Sequence, residues 1–190
     1  MATDIYLTIA QLNTLFQTLV MTMIGLDPAV STSAYAVRIS WPTGGAPSWK
    51  NTEDICFLRI VEKDDEYNRQ REAKFDAARL NQITTYTRVI EVSFVFYGPN
   101  SFDHAQTVRD QIFYQKNHDT LALQNIYLIP DIHSPKRAPE LFQGNWWERT
   151  DMSMDFNELI VRNSALNSAT SVAVDLYDDN GLERVINATQ

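Results

Sequence analysis

Residues 82–116 read QITTYTRVIEVSFVFYGPNSFDHAQTVRDQIFYQK, and two periodicities meet in them. Tyr86, Ile90, Val92, Phe94 and Phe96 alternate with Thr85, Thr87, Glu91, Ser93 and Tyr97, the period of two expected of a strand with one buried and one wetter face. Gly98-Pro99-Asn100-Ser101 breaks the pattern. Phe102, Ala105, Val108, Arg109, Ile112 and Phe113 then recur at helical spacing, with Asn100 or Ser101 placed to cap the first turn. A long central strand therefore feeds a helix.

Working outward, Ile5, Ile9, Leu12, Leu15, Phe16, Leu19 and Met23 fall on one face of a helix predicted over 4–23. Thr3 or Asp4 caps it, and Gly25 with Pro28 ends it. Alternation predicts strands over 34–41 and 55–61, separated by a Pro- and Gly-rich loop. Residues 146–156 alternate again, with Trp146, Met152, Met154 and Phe156 on one face and Trp147, Arg149, Asp151, Ser153 and Asp155 on the other. The apolar phase shifts to Leu159 and Val161, so a bulge is expected near Asn157 and Glu158. A short apolar run at 121–129 and an irregular proline loop at 130–144 precede this strand. Asp178-Asp179-Asn180-Gly181 between two strand-like runs predicts a terminal hairpin. The sum is an α+β fold: a central, mostly antiparallel sheet, two amphipathic helices packed on one face, and a C-terminal β-hairpin. Ile5, Leu12, Phe16, Leu19, Ile90, Phe94, Phe96, Val108, Ile112, Met154 and Phe156 are the expected core.

The 190 residues suit one domain spanning 1–190, with exposed loops or extensions at 42–54 and 62–81. A composition of 44% hydrophobic, 11% aromatic and 21% charged residues argues for a folded chain. The formal charge of -8 argues against stable nucleic-acid binding, because a net negative surface repels phosphate. Cys56 is the single cysteine, so neither an intrachain disulfide nor a cysteine metal cluster is available, and its apolar neighbours make it a core residue. The first apolar stretch contains Gln11, Asn13 and Gln17, and no Lys or Arg precedes Arg38, so neither a signal sequence nor a membrane span is expected. The reading is of a protein cytosolic when made.

Fragments that suggest chemistry fail on spacing. Glu72-Ala73-Lys74 has the end of a nuclease motif but no Pro-Asp before it, and the Asp178 turn lacks the carboxylates of a calcium loop. Asp151 and Asp155, two strand repeats apart, would stand about 13 Å apart, too far for direct cooperation. His104, His118 and His133 have no metal-ligand spacing, and no phosphate or dinucleotide loop occurs. No catalytic, cofactor or metal residue is assigned.

The initial helix, the strand Ala34-Tyr35-Ala36-Val37, the run from Glu91 to Gly98 with Asn100, Asp103 and Ala105, and Trp146-Trp147-Glu148-Arg149 with Asp151-Met-Ser-Met-Asp155-Phe156 follow one another in an order that resembles the phage neck and tail terminator family. The resemblance implies a structural virion protein of the tail or neck. It implies a homo-oligomeric ring of roughly six subunits that ends the tail tube and joins it to the head completion or connector protein. Tail tube protein and sheath protein are implied neighbours, and DNA passes through the lumen without specific binding. No catalysis, cofactor or membrane is implied.

Outside that pattern lie the 42–54 loop, with Trp49, and the charged segment 62–79, with Glu66, Arg69, Arg71 and Lys74. The segment is either a solvated loop or exposed hairpin extension, or it becomes ordered against a neighbouring subunit. Trp49 and Trp147 are read as exposed aromatic contacts. Arg149 is either an ordinary cross-strand ion pair or an intersubunit one. The rivals are another tail component, such as a tube-end or baseplate adaptor, and an unrecognised hydrolase with 130–144 as lid and Asp151 or Glu148 as base. An enzyme requires a concave pocket of convergent polar groups, whereas a ring requires large complementary surfaces.

Overall fold

The computed structural model describes residues 4–41, 45, 48–76, 80–166, 171–178 and 181–189. In chain order its elements are α1 (Ile9–Met23), α2 (Ser33–Ala36), β1 (Val37–Ile39), β2 (Ile55–Glu62), α3 (Glu66–Arg69), β3 (Glu72–Asp76) and β4 (Asn81–Tyr97). There follow α4 (Ser101–Gln111), α5 (Gln115–Ala122), β5 (Ile126–Leu128), β6 (Lys136–Arg137), β7 (Glu140–Phe142), β8 (Asn145–Trp147), β9 (Arg149–Ala165), β10 (Ser171–Asp178) and β11 (Gly181–Thr189).

The two 17-residue strands β4 and β9 form the spine, pairing antiparallel from Asn81↔Ala165 to Tyr97↔Arg149. The sheet runs β1-β2-β4-β9-β5, with β3 added to the far end of β4 and β6 to β9. Only β1 with β2 is parallel, so the sheet is mostly antiparallel as the alternation predicts. Because side chains alternate across a strand, Ile90, Val92, Phe94 and Phe96 of β4 share one face with Met152, Met154 and Phe156 of β9, and all are buried. Leu12, Phe16 and Leu19 of α1, Ala105 and Val108 of α4, and Ile112 just beyond it cover that face. Phe16 meets Phe156 with ring centroids 4.9 Å apart. Fully burying one such side chain stabilises the fold by about 2–3 kcal/mol. Cys56 is buried in the same layer, and that burial pushes its thiol well above the usual range.

Several boundaries differ from the sequence reading. The first helix starts at Ile9, because Thr8 and Gln11 form a capping box while Asp4 and Ile5 are drawn into an edge contact with β9. Ile5 is accordingly exposed. The expected strand at 34–41 shrinks to β1, and the alanine-rich part before it folds as a helical turn, which alanine favours over a strand. Neither Asn100 nor Ser101 caps α4. The Asn100 amide goes to Asp54 instead, and the Ser101 hydroxyl is buried beside Thr150.

The apolar run at 121–129 splits into the end of α5, a third core helix, and β5, with Asn125 at φ 57 turning the chain between them. Within 130–144 the chain is more regular than expected, supplying β6 and β7. Residues 146–156 are not one strand: Trp146 and Trp147 belong to β8, which pairs with β7. Gln143 and Gly144, at φ 49 and 79, close that hairpin in the doubly left-handed manner of a type I′ turn.

The expected bulge is absent, and β4 and β9 hold one register throughout. Glu158 itself takes the inward position between Phe156 and Ile160 and is only 1% exposed. The terminal hairpin stands, with β10 and β11 antiparallel in a separate two-stranded sheet. The turn residues Asp179 and Asn180 lie outside the described residues, as do 42–44 and 46–47 of the first loop, 77–79 of the charged segment, and Thr3.

Candidate interaction surfaces

The face of the sheet opposite α1 and α4 carries an aromatic and ionic cluster. Tyr97 closes β4, Phe57 lies on β2 beside it, and the β7–β8 hairpin folds over both. Trp49 sits at the centre, with ring centroids 5.0 Å from Phe57, 5.7 Å from Tyr97 and 5.8 Å from Trp147. Its Nε1–H is shielded from solvent and has no acceptor. Phe142 stacks edgewise on the far side of Trp147, 6.0 Å away. Tilted and edge-on pairs at these separations place ring edges against ring faces, as the aromatic quadrupole favours.

An ionic chain borders the rings. The Tyr97 hydroxyl donates to Glu140 at 2.9 Å, and Arg149 donates to Glu140 at 3.0 Å and to both oxygens of Asp151 at 2.7 and 2.9 Å. Burial, and then the bond to Glu140, push the Tyr97 phenol up to about 12. The folded value lies above the ordinary 10, so the neutral phenol's contribution to stability is intact below pH 10 and is lost as pH rises through about 12. A spectrophotometric titration is expected to show one tyrosine ionising near pH 12 that disappears in Tyr97→Phe. A wild-type curve that lacks this late step would contradict the geometry.

Beside the cluster the open face hollows into a groove of about 450 Å³, lined by Arg59, Glu91, Lys136, Arg149 and Asp151 among others. It is concave and polar, as an active site would be. However, Asp151 is clamped by Arg149 and Glu148 is paired with Arg137 at 2.8 Å, so both carboxylates nominated as a general base are committed to guanidinium groups. Among the described residues no three of His, Cys, Asp and Glu stand close enough to hold a metal ion.

The charged segment forms an arm. β3 continues the line of β2 along β4, and the gap between them is bridged by Lys63, whose N–H donates to Val89 O, and by Asn68, whose side-chain oxygen accepts from Val89 N–H. The Asn68 amide also donates to the Lys63 carbonyl. Beyond this anchor Glu66, Arg69, Arg71, Glu72 and Lys74 are exposed. Arg69 pairs with Asp64, Lys74 pairs with Glu72, and Arg71 lies over the Tyr86 ring at 4.6 Å. Exposed pairs of this kind add little stability, because water already solvates both partners.

The sequence profile of the phage neck terminator protein family matches residues 10–181. The chain belongs to the phage neck terminator family. No curated protein matches it. Membership makes it a structural protein of the phage tail and neck that works alongside other head and tail proteins. No described helix is long and apolar enough to cross a membrane.

In this neck terminator the residues singled out from sequence fall into two groups. Trp49, Trp147 and Arg149 come together, but within the subunit: the two tryptophans are half-buried in the ring cluster rather than exposed, because the β7–β8 hairpin covers them. Glu66, Arg69, Arg71 and Lys74 are brought together on the arm, where solvent reaches each of them.

Sequence reading missed the tie made by Arg88 and Glu158. Arg88 Nε donates to Glu158 at 3.0 Å, Glu158 accepts the Leu7 N–H at 2.9 Å, and a second Arg88 nitrogen reaches the Leu7 carbonyl at 3.0 Å. Two strand charges thus fix the backbone just ahead of α1. Asp4 extends the tie to Asn163 and Arg162, and the Asn163 N–H, then Arg162, hold its carboxyl below the usual range. The available signal was a lone carboxylate at an inward position of an otherwise apolar strand face, with an arginine on the neighbouring strand.

Proposed function

We propose that this neck terminator assembles into a closed ring of roughly six subunits that ends the tail tube and joins the tail to the head connector. In this reading the sheet and helices are the body of one domain spanning 1–190. The arm at 62–81 reaches an adjacent subunit, the tube or the connector. Cluster residues Trp49, Trp147 and Arg149 shape the surface around the β7–β8 hairpin that faces the same neighbours. Their contribution is indirect, since their own contacts are internal.

The observation that supports this reading is the arm. It projects a described, regularly paired strand whose side chains Glu72, Ala73, Lys74 and Phe75 are all exposed, including an apolar Phe75 that nothing covers. Water solvates the charges of this strand but gives Phe75 no apolar cover. Against a partner of complementary charge it gains several charge-assisted hydrogen bonds. The net charge of -8 suits a channel wall past which DNA slides without being gripped.

The test uses charge reversal rather than deletion, because removing Asn68 would also release Val89. Arg69→Glu, Arg71→Glu and Lys74→Glu together are expected to change thermal stability by less than about 1 kcal/mol, as exposed pairs do, while tail joining in an assembly assay falls by an order of magnitude or more. A triple variant that joins tails normally would remove the arm from the proposed contact. In the groove, Asp151, the carboxylate nominated there as a base, is held by Arg149.

A further inference from the structure

The groove on the open face of the sheet carries more positive charge than its own residues neutralise. Among the described residues its charged lining is Arg59, Glu91, Lys136, Arg149 and Asp151. Arg149 and Asp151 hold each other at 2.7 Å. Glu91 accepts from the Ser93 hydroxyl at 2.9 Å and forms no ion pair among the described residues. Arg59 and Lys136 remain. Neither side chain has a hydrogen-bond or ion-pair partner among the described residues, and the Arg59 Nε–H is shielded from solvent with no acceptor. A buried guanidinium N–H without an acceptor is costly enough that native sites supply one.

The register of the sheet sets these two cations on opposite walls. Arg59 pairs with Ser93 on β4, and Ser93 pairs with Ser153 on β9, so the two serines lie side by side on the groove floor. Lys136 pairs with Asp151, one side-chain repeat along β9 from Ser153. Three strand spacings and that repeat separate Arg59 from Lys136, about 16 Å between Cα atoms, a gap that two of the longest side chains can span with one small anion between them. The Ser93 hydroxyl is taken by Glu91, which leaves the Ser153 hydroxyl as the donor of the floor.

Charge selects the anion. Two unpaired cations against one unpaired carboxylate leave a surplus of one positive charge, which a single carboxylate neutralises and a phosphate dianion overshoots. A volume of about 450 Å³ is far more than a lone carboxylate fills, so the residues flanking it have room as well. Trp41, 78% exposed and 5.4 Å from the Arg59 guanidinium, offers that flanking chain an aromatic wall.

We propose that this groove is a recognition site for an acidic peptide segment of a partner protein, with one carboxylate held between Arg59 and Lys136 over the Ser153 hydroxyl. The site is separate from the arm. The segment's origin in another head or tail protein rests on the joining reading, and the charge chemistry rests on the groove alone.

Fluorescence anisotropy of a dye-labelled, capped hexapeptide of alternating glutamate and glycine tests the site on the purified chain. The same peptide with glutamine for glutamate is the neutral comparison, and sodium acetate and inorganic phosphate are the competitors, all at equal ionic strength. The glutamate peptide is expected to bind saturably and the glutamine peptide not to bind. Lys136→Gln should weaken the affinity about tenfold, as the loss of one hydrogen bond to a charged group does. Lys136 is exposed, so that variant should unfold at the wild-type temperature. Glu91→Gln should tighten binding, because it removes a competing carboxylate diagonal to Arg59. Equal binding of the glutamine peptide, phosphate that binds more tightly than the glutamate peptide, acetate that binds as well as it does, or an unchanged affinity in Lys136→Gln would overturn the assignment. These readouts use the chain alone, so the tail-joining assay on the arm stands or falls separately.

Discussion

Glu158→Ala is expected to lower the free energy of unfolding by about 3–5 kcal/mol, the cost of breaking a buried ion pair from one side. The loss has two parts. Arg88, with a side chain only 20% exposed, keeps its charge and loses the carboxylate that solvates it, and the Leu7 N–H loses its acceptor. The N-terminal segment should loosen with it, because Ile5 is held to Val161 by a pair of 2.9 Å backbone bonds next to that tie. Chemical denaturation measures the first effect, and faster amide exchange at Val161 measures the second. Replacing both partners by apolar residues of similar volume, Arg88→Met with Glu158→Leu, should restore most of the stability while leaving Leu7 unanchored. A single Glu158→Ala variant within about 1 kcal/mol of wild type would refute the account of this strand face.

Gly98→Ala is expected to cost about 3 kcal/mol. Gly98 sits at φ 104, where a side chain strains the backbone, and a Cβ there would lie 2.5 Å from the Glu53 carbonyl oxygen and 2.6 Å from an Asp54 carboxylate oxygen. The clash matters because Asp54 also accepts from Asn100 N–H and the Asn100 amide, both at the entry to α4. A methyl group pushes the 53–54 turn off the end of β4 and disturbs the helix start with it. Gly25→Ala is the control: Gly25 also has a left-handed φ, 79, but nothing lies within 4 Å of its added Cβ. It should cost only the backbone term, about 1 kcal/mol. Equal effects at the two glycines, read from thermal unfolding, would mean that the contact with residues 53 and 54 carries no weight.

The spine of the fold was legible because its signal is local. Ile90, Val92, Phe94 and Phe96 declare a strand face, Gly98 and Pro99 end it, and Val108 and Ile112 recur at helical spacing; the four strand residues and the two helical ones are buried. The misreadings arise where a long-range partner overrides a local pattern. Ile5 fits the helical stripe but pairs with Val161. Glu158 reads as a break in phase because nothing local shows that Arg88 neutralises it across the sheet. Trp146 and Trp147 continued an alternating pattern into β9, while the positive φ angles at Gln143 and Gly144 folded them back as a hairpin. Trp49 reads locally as a surface anchor because a tryptophan in a Pro- and Gly-rich loop has no local partner, and its partners come from β2, β4 and β8. The family was legible from the order of weak motifs.

Native mass spectrometry of the purified chain tests the central claim most directly, since it counts subunits without any partner protein present. The ring reading expects one dominant closed species of roughly six copies, stable on dilution into the low micromolar range. A stable monomer over the same range, unchanged when tail tube protein is added, would contradict it.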